Sequence, residues 1–373
     1  MAKKITYKSM TKKLQKRKIA RTNKKLLTLV VFVVGIIIFG IGALWYFVEY
    51  RGAERNVNSG NTYYAAGEYK SARKQYGRAV TKDPTNLVYI DKLQDAILAI
   101  VPVTPVEARA SYDEYVRTLI HKARYNPLDI DSHLLVAEEM YNSAFLTGLD
   151  ENWGKLRYVA QNGLDQILPD NPRRYELILY RGLASLRIED ASMTDTYDDV
   201  GNVRFPGESD FEEVLEKDPG NAMAWAALAH GRMAVYYRLN DEGQTKQANR
   251  NQIFANETMT KALEVAGDSF EVSAIVLREV LLRRTELLQQ KIANSSSVTD
   301  EQIEAITQQI VDARNTMVMA YDPALHFARA GEMATLAVST DKDGYEAAAE
   351  ILQATVNTHP NDFGRQFMLA GTL

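Results

Sequence analysis

The sequence contains no cysteine and only five histidines among 373 residues. Without cysteine the chain cannot form disulfides, Cys-ligated zinc or iron–sulfur centres, or a thiol nucleophile. The histidines form no H-x-x-x-H or H-E-x-x-H pattern, and there is no phosphate-binding loop, dinucleotide fingerprint or G-x-S-x-G elbow. Segments that alternate apolar and polar residues between turns are also missing. The sequence therefore predicts an all-α protein that is not an enzyme and binds no cofactor, metal or small-molecule substrate.

Acidic residues are absent from residues 1–25, which hold eleven lysines and arginines. Residues 26–373 carry 33 basic and 48 acidic side chains, a net charge of −15. Between these regions, residues 26–48 form an uncharged run, LLTLVVFVVGIIIFGIGALWYFV. A helix of that length is about 34 Å long and can cross a hydrocarbon core of about 30 Å. We predict a single transmembrane helix at 26–48, in contact with membrane lipid.

The charges that flank this run predict its orientation. Because the basic side of a membrane helix stays in the cytoplasm, we expect residues 1–25 to be a cytoplasmic tail and residues 51–373 to lie outside the cytoplasmic membrane, in a periplasm or its equivalent. A cleaved signal peptide has a shorter apolar region that ends in small residues, whereas this run ends in bulky ones, which favours an uncleaved signal-anchor. The basic tail attracts anionic lipid. Since the tail holds no folded recognition motif, we expect no nucleic-acid partner.

A repeat pattern follows the apolar run. From residue 60 the chain reads GNTYYAAGEYKSARKQYGRAVTKDP. The positions that define the pattern are Gly60, Tyr63, Gly67, Tyr69, Ala72, Tyr76, Ala79 and Pro84. This segment resembles the tetratricopeptide repeat (TPR) family, whose unit is a helix–turn–helix of about 34 residues. The resemblance implies small residues where the two helices approach closely, a tyrosine between them, and a proline that ends the second helix.

Weaker units keep the spacing of the second helix of the repeat. Their marks are Ala160, Leu164 and Pro172 in one unit, Ala348, Leu352 and Pro360 in another, and Trp225 at the start of a first helix. Terminating residues fall at 84, 127, 172, 219, 267, 323 and 360. We therefore predict a TPR-like helix-pair solenoid of about seven pairs over residues 51–373, with units longer than the family's regular repeat.

The extra residues of these long units are predicted in loops at 190–207, 240–247 and 294–300. A helix is predicted over Val272–Ile292, and a capping box from Thr299 to Gln302. Because the sequence stops within an apolar stretch that reads as another first helix, we expect the solenoid to continue beyond Leu373.

The resemblance also implies a concave surface, lined by the first helix of each pair, that holds peptides or partner helices. By resemblance, its candidate residues are Glu138, Tyr141, Asn142, Arg187, His230 and Met233. A family subtype that binds C-terminal carboxylates carries Lys and Asn in the first helix. Here Asn61 matches, but Val57 replaces the lysine. The alternative for each candidate is a packing role inside the solenoid.

Together these features predict a non-enzymatic, single-pass membrane scaffold that binds other proteins and assembles or stabilises an envelope or secretion complex. Two alternatives stay open. One is a membrane-anchored receptor or chaperone adaptor for transiting polypeptides. The other is the docking arm of a longer protein whose catalytic domain lies beyond residue 373.

Overall fold

The computed structural model describes residues 24–188, 196–293, 298–340 and 342–358, and these residues are mostly helical. The first seven helices are α1 Lys24–Ala65, α2 Tyr69–Lys82, α3 Leu87–Leu98, α4 Pro105–Tyr125, α5 Ile130–Thr147, α6 Asp150–Gln166 and α7 Arg174–Arg187. The remaining helices are α8 Glu208–Lys217, α9 Ala222–Asp241, α10 Thr245–Ala266, α11 Phe270–Ala293, α12 Asp300–Ala320, α13 Ala330–Val338 and α14 Gly344–Thr358. A 3₁₀ turn, Phe327–Arg329, precedes α13.

Neighbouring helices pack as seven pairs in the described part of the chain: α1 with α2, α3 with α4, and so on to α13 with α14. Helices α2, α4, α8, α10 and α12 each end just before a terminating residue predicted from the sequence. The prediction at Pro172 was wrong. Helix α6 ends at Gln166, because Pro169 forces the residue before it out of the helical conformation.

The first pair shows the close packing expected of a TPR-like unit. A Cβ added at Gly60 would lie 2.5 Å from Cε1 of Tyr76, so a larger residue would push the helices apart. Ala72 and Ala79 are fully buried, and Tyr76 is 2% exposed. The same pattern recurs in later pairs, where Ala160, Leu164, Ala348 and Leu352 are buried. The described residues therefore form a stack of TPR-like helix pairs.

Two of the repeat-defining aromatic residues donate hydrogen bonds within or next to their own helix pair. The hydroxyl of Tyr76 donates a hydrogen bond of 2.9 Å to Oδ1 of Asn61. The indole Nε1 of Trp225 donates to the carbonyl of Pro219 at 2.9 Å. Gly67 has φ of 75° in the turn between α1 and α2, a left-handed backbone conformation that favours glycine. Tyr63 is 37% exposed.

A buried ion pair joins the fourth and fifth pairs. Arg232 of α9 donates through Nε to Oε1 of Glu208 at 2.9 Å and through Nη1 to Oγ1 of Thr258 at 2.7 Å. Its guanidinium also lies 3.6 Å from the ring centroid of Phe254. Burial of Glu208 raises its pKa, against the lowering effect of Arg232. Helices α8, α9 and α10 are thus held together by polar as well as apolar contacts.

A small β-hairpin lies in the insertion between α7 and α8, where the sequence predicted no strand. Strand β1, Thr196–Tyr197, pairs antiparallel with β2, Val203–Arg204. The carboxylate of Asp198 accepts hydrogen bonds from the backbone N–H groups of Val200 and Asn202 at 3.0 and 2.7 Å. Each strand has two residues, which is too short for an alternating pattern to be visible in the sequence.

The predicted loops, the helix predicted over Val272–Ile292 and the predicted capping box fall wholly or partly on described residues. The loop predicted at 240–247 is mostly helical, since α9 continues to Asp241 and α10 begins at Thr245. The helix predicted over Val272–Ile292 is present as α11, and Thr299 and Gln302 form the predicted capping box at the start of α12. Parts of the other two predicted loops, 190–195 and 294–297, lie outside the described residues.

The transmembrane prediction falls on α1. The side chains of this helix are described for residues 28–44 and 52–65. Judged on the described residues, no helix is both long and apolar enough to cross a membrane. The anchor at 26–48 therefore stays a prediction. The basic tail up to residue 23, and Pro360 with the rest of residues 359–373, lie outside the described residues.

Candidate protein-binding surface

Three of the residues predicted to line a concave surface meet at one small cavity. Tyr141 of α5, Arg187 of α7 and His230 of α9 line a cavity of about 40 Å³ together with Glu271 of α11 and Arg329 of the 3₁₀ turn. The first helices of four pairs thus contribute to this cavity. The cavity itself is too small for a peptide and has room for one or two water molecules.

The space in front of these helices is filled by the chain itself. The 3₁₀ turn packs against α5. The guanidinium of Arg329 lies 5.4 Å from the ring centroid of Phe145 and 5.0 Å from that of Phe270. Both distances are within the range of cation–π attraction. A segment of the last pair therefore occupies the inner face of the third pair.

One carboxylate fastens this segment in place. Glu332 of α13 accepts hydrogen bonds from Arg278 Nη2 at 2.6 Å, Arg329 Nε at 3.3 Å and Arg187 Nη2 at 3.4 Å. Burial opposes ionisation of Glu332, but the three guanidiniums outweigh it and lower its pKa to about 2. The cluster therefore links α7, α11 and α13 through a carboxylate that is ionised at any physiological pH. We call these four residues the Glu332 cluster.

Two histidines border the Glu332 cluster. Burial, with Arg278 and Arg187 nearby, lowers the pKa of His230 to about 3, so this imidazole is neutral. Its Nδ1 is buried and has no hydrogen-bond partner among the described residues. His326 stacks on Phe270, with ring centroids 4.2 Å apart. A backbone N–H donates to His326 Nδ1, so the other ring nitrogen carries the proton and faces Glu271 at 3.5 Å.

The other predicted surface residues do not join this group. Glu138 is exposed on α5. Asn142 and Met233 are 8% and 9% exposed, and neither lines the cavity. A role of these six residues in partner binding stays a prediction. In the first pair, Val57 is buried and Asn61 already accepts the Tyr76 hydroxyl, which leaves no free clamp for a carboxylate there.

A larger groove lies on the opposite side of the stack, between the second helices of the second and third pairs. It has a volume of about 1150 Å³, with α4 and α6 as walls and α5 as floor. Val136 and Met140 form part of the floor. On the walls and rim, Ile120 is 44%, Leu149 57% and Tyr158 72% exposed. The corresponding gap between α10 and α12 has only about 340 Å³.

The charges of this groove differ from those of residues 26–373 as a whole. Arg109 and Arg124 are exposed at opposite ends of α4, and neither has an ion-pair partner within the described ranges. Lys155 pairs with Glu151 at 2.8 Å, and Asp113 is the second acidic residue of the lining. The lining thus carries one net positive charge, against −15 for residues 26–373. We call this feature the α4–α6 groove.

Sequence reasoning missed both the groove and the filled inner face. Val116, Leu119, Ile120 and Ala123 of α4 have the i, i+3, i+4 and i+7 spacing of a single apolar stripe. Leu119 and Ala123 are buried, whereas Ile120 is 44% exposed and lines the groove. The sequence does not reveal which part of such a stripe stays exposed, so it carries no signal specific to the groove.

Comparisons with known proteins give structural likenesses of low similarity. No protein-family profile matches the sequence. No curated protein matches it either. Among solved structures, PilF of Pseudomonas aeruginosa is 13% identical, with a TM-score of 0.34, and the match covers 70% of this chain and 99% of that one.

Two other solved structures resemble the chain to a similar degree. A MamA protein is 11% identical, with a TM-score of 0.33, and the match covers 57% of this chain and 91% of that one. Yeast Tom70 is 10% identical, with a TM-score of 0.26, and the match covers 86% of this chain and 88% of that one.

Among the described residues, no group of three or more His, Asp or Glu side chains could hold a metal ion.

Proposed function

We propose that the protein is a non-enzymatic scaffold that is anchored in the cytoplasmic membrane and holds partner proteins outside it, as part of an envelope or secretion complex. The observation that carries this proposal is the α4–α6 groove, an open channel of about 1150 Å³ on a stack of helix pairs, with apolar residues in its middle and charged residues near its ends. Apolar clefts of this size with a few polar groups are typical binding sites. The inner face is filled by Arg329 and its neighbours, so the groove is the better docking surface.

Two features of α1 support the anchor. Large apolar side chains are exposed all around the helix, from Leu29 at 62% through Phe39 at 79% to Leu44 at 68%. Nothing lies within 4 Å of a Cβ built at Gly35, Gly40 or Gly42, so none of the described residues packs against these positions. Helix α1 continues without a break into the first pair, which would place the stack directly beyond the bilayer.

Site-specific photo-cross-linking tests the docking surface. A photo-reactive amino acid at Tyr158, in the groove, is compared with one at Tyr345, which is 59% exposed outside it. In intact membranes we expect one or two stoichiometric protein adducts from position 158 and none from 345. An absence of adducts at 158 would contradict the proposal. A ladder of many unfolded clients would favour the receptor alternative instead.

Protease access tests the topology. Protease added outside spheroplasts should degrade residues 51–373 and spare the tail. Protection of residues 51–373 would show the reverse orientation, and would favour an adaptor that faces the cytosol.

The mass of the native protein tests the alternative in which these residues are the docking arm of a longer protein. A chain that continues into a catalytic domain must be much larger than 42.0 kDa.

A further inference from the structure

We propose that the α4–α6 groove takes one amphipathic α-helix of about four turns, whose apolar stripe faces the groove floor and whose two ends carry acidic side chains. This inference rests on the proposed docking function of the groove and adds the chemistry of the partner.

The dimensions of the groove fix the length and the depth of its occupant. Its lining runs from Arg109 to Arg124 on α4 and from Glu151 to Gln166 on α6. Each wall is therefore about 22 Å long at 1.5 Å per residue, which is the length of about four helical turns. A volume of about 1150 Å³ over that length gives a cross-section of roughly 50 Å². A helix with side chains is about 10–12 Å across, so about half of it fits below the rim.

The walls determine the conformation of the occupant. All three elements that line the groove are helices whose backbone groups bond within the helix, so the lining offers no strand edge to an extended peptide. An occupant must then satisfy its own backbone N–H and C=O groups against the apolar floor. An α-helix does this internally, and an apolar stripe at i, i+3, i+4 and i+7 would face the floor.

The charges determine what lies at the ends of the occupant. Arg109 and Arg124 lie at the two ends of the groove, and both are unpaired within the described residues. The middle of the groove is apolar, with Val116, Ile120 and Tyr158 on its walls. Acidic side chains near both ends of a bound helix would meet the two arginines. Among the described lining residues, basic ends would meet one unpaired carboxylate, that of Asp113.

Two synthetic helical peptides, each about five turns long and so slightly longer than the groove walls, test this proposal. Both carry the same leucine stripe, and they differ only in having glutamate or lysine in the first and last turns. The full chain, in nanodiscs of uncharged lipid, carries the photo-reactive amino acid at Tyr158, so adduct formation reports binding in the groove and ignores peptide that partitions into lipid. We expect the glutamate peptide to reach half-maximal adduct at a concentration at least tenfold lower than the lysine peptide. This preference should shrink in high salt.

The double variant Arg109→Glu with Arg124→Glu should reverse the preference, whereas Arg157→Glu, an exposed charge reversal on α6 away from the groove lining, should leave it unchanged. Equal binding of the two peptides, no binding of either, or an unreversed preference in the double variant would overturn the proposal. The photo-cross-linking experiment in intact membranes distinguishes a failure of this proposal from a failure of the proposed function. If position 158 still captures native proteins, the groove is a docking surface with a different partner chemistry; if it captures none, the proposed function fails as well.

Discussion

Replacing Glu332 by glutamine should destabilise the stack and uncouple its last pair. The change keeps the shape of the side chain and removes the charge that holds Arg187, Arg278 and Arg329 together. Glu271 would remain as the carboxylate that borders the cavity. Loss of one partner from a buried ion cluster typically costs about 3–5 kcal/mol. The Glu332 side chain is 23% exposed, so we expect a value near the lower end, about 3 kcal/mol.

The pKa of Glu332 gives a second route to the same magnitude. A pKa lowered to about 2 in the folded protein corresponds to about 3 kcal/mol, since each tenfold change in proton affinity is worth about 1.4 kcal/mol. Because the folded pKa is depressed, this stabilisation is fully present above the unfolded value near 4.5 and is lost as the pH falls towards 2. By pH 3 about half of it should remain.

Urea unfolding of the full chain, followed by tryptophan fluorescence, measures the effect. Trp153 is a suitable reporter because its ring centroid lies 5.7 Å from the Arg187 guanidinium. The exposed Glu350→Gln on α14 is the matched control and should change the free energy of unfolding by less than about 0.5 kcal/mol. A cost of Glu332→Gln no larger than that of the control, or the same cost at pH 3 as at pH 6, would show that the carboxylate charge does not stabilise the stack.

Three further substitutions test the packing, each by urea unfolding. Gly60→Ala should lower the free energy of unfolding by about 1–3 kcal/mol, because the new Cβ would lie 2.5 Å from the Tyr76 ring. The control Gly77→Ala should be neutral or stabilising, because nothing lies within 4 Å of its new Cβ. Equal effects of the two substitutions would contradict the close approach of α1 and α2. Arg232→Gln should cost about 3 kcal/mol or more, because it leaves a buried carboxylate unpaired, and a loss below about 1 kcal/mol would show that the pair is solvated. Thr299→Ala should lower the free energy of unfolding by about 1 kcal/mol because the capping box is lost. As a local check, backbone amides at the start of α12 should exchange hydrogen more slowly in the wild type than in the variant.

The helix pairs could be predicted from the sequence because their signals are local. A proline or glycine just after a second helix, a small residue opposite a tyrosine, and Thr299 with Gln302 at a helix start each act within a few residues or within one pair. The end of α6 shows the limit even of local signals, since two prolines compete and the nearer one, Pro169, decides.

The binding surfaces could not be predicted because they depend on how successive pairs rotate against each other. Arg329 meets Phe145 although the two lie far apart in the sequence, and no spacing pattern connects them. The separation of α4 from α6 likewise follows from the side chains packed beneath them. Tyr141, Arg187 and His230 line one cavity, and which segment covers that face is a tertiary property.

A partner that occupies the α4–α6 groove in the cell should cover Tyr158. Because the chain has no cysteine, Tyr158→Cys and Tyr345→Cys can each be labelled at a single site with a membrane-impermeant maleimide. In intact spheroplasts we expect slow labelling at 158 and fast labelling at 345, with equal rates once the protein is purified. Equal rates at the two positions in spheroplasts would contradict this expectation.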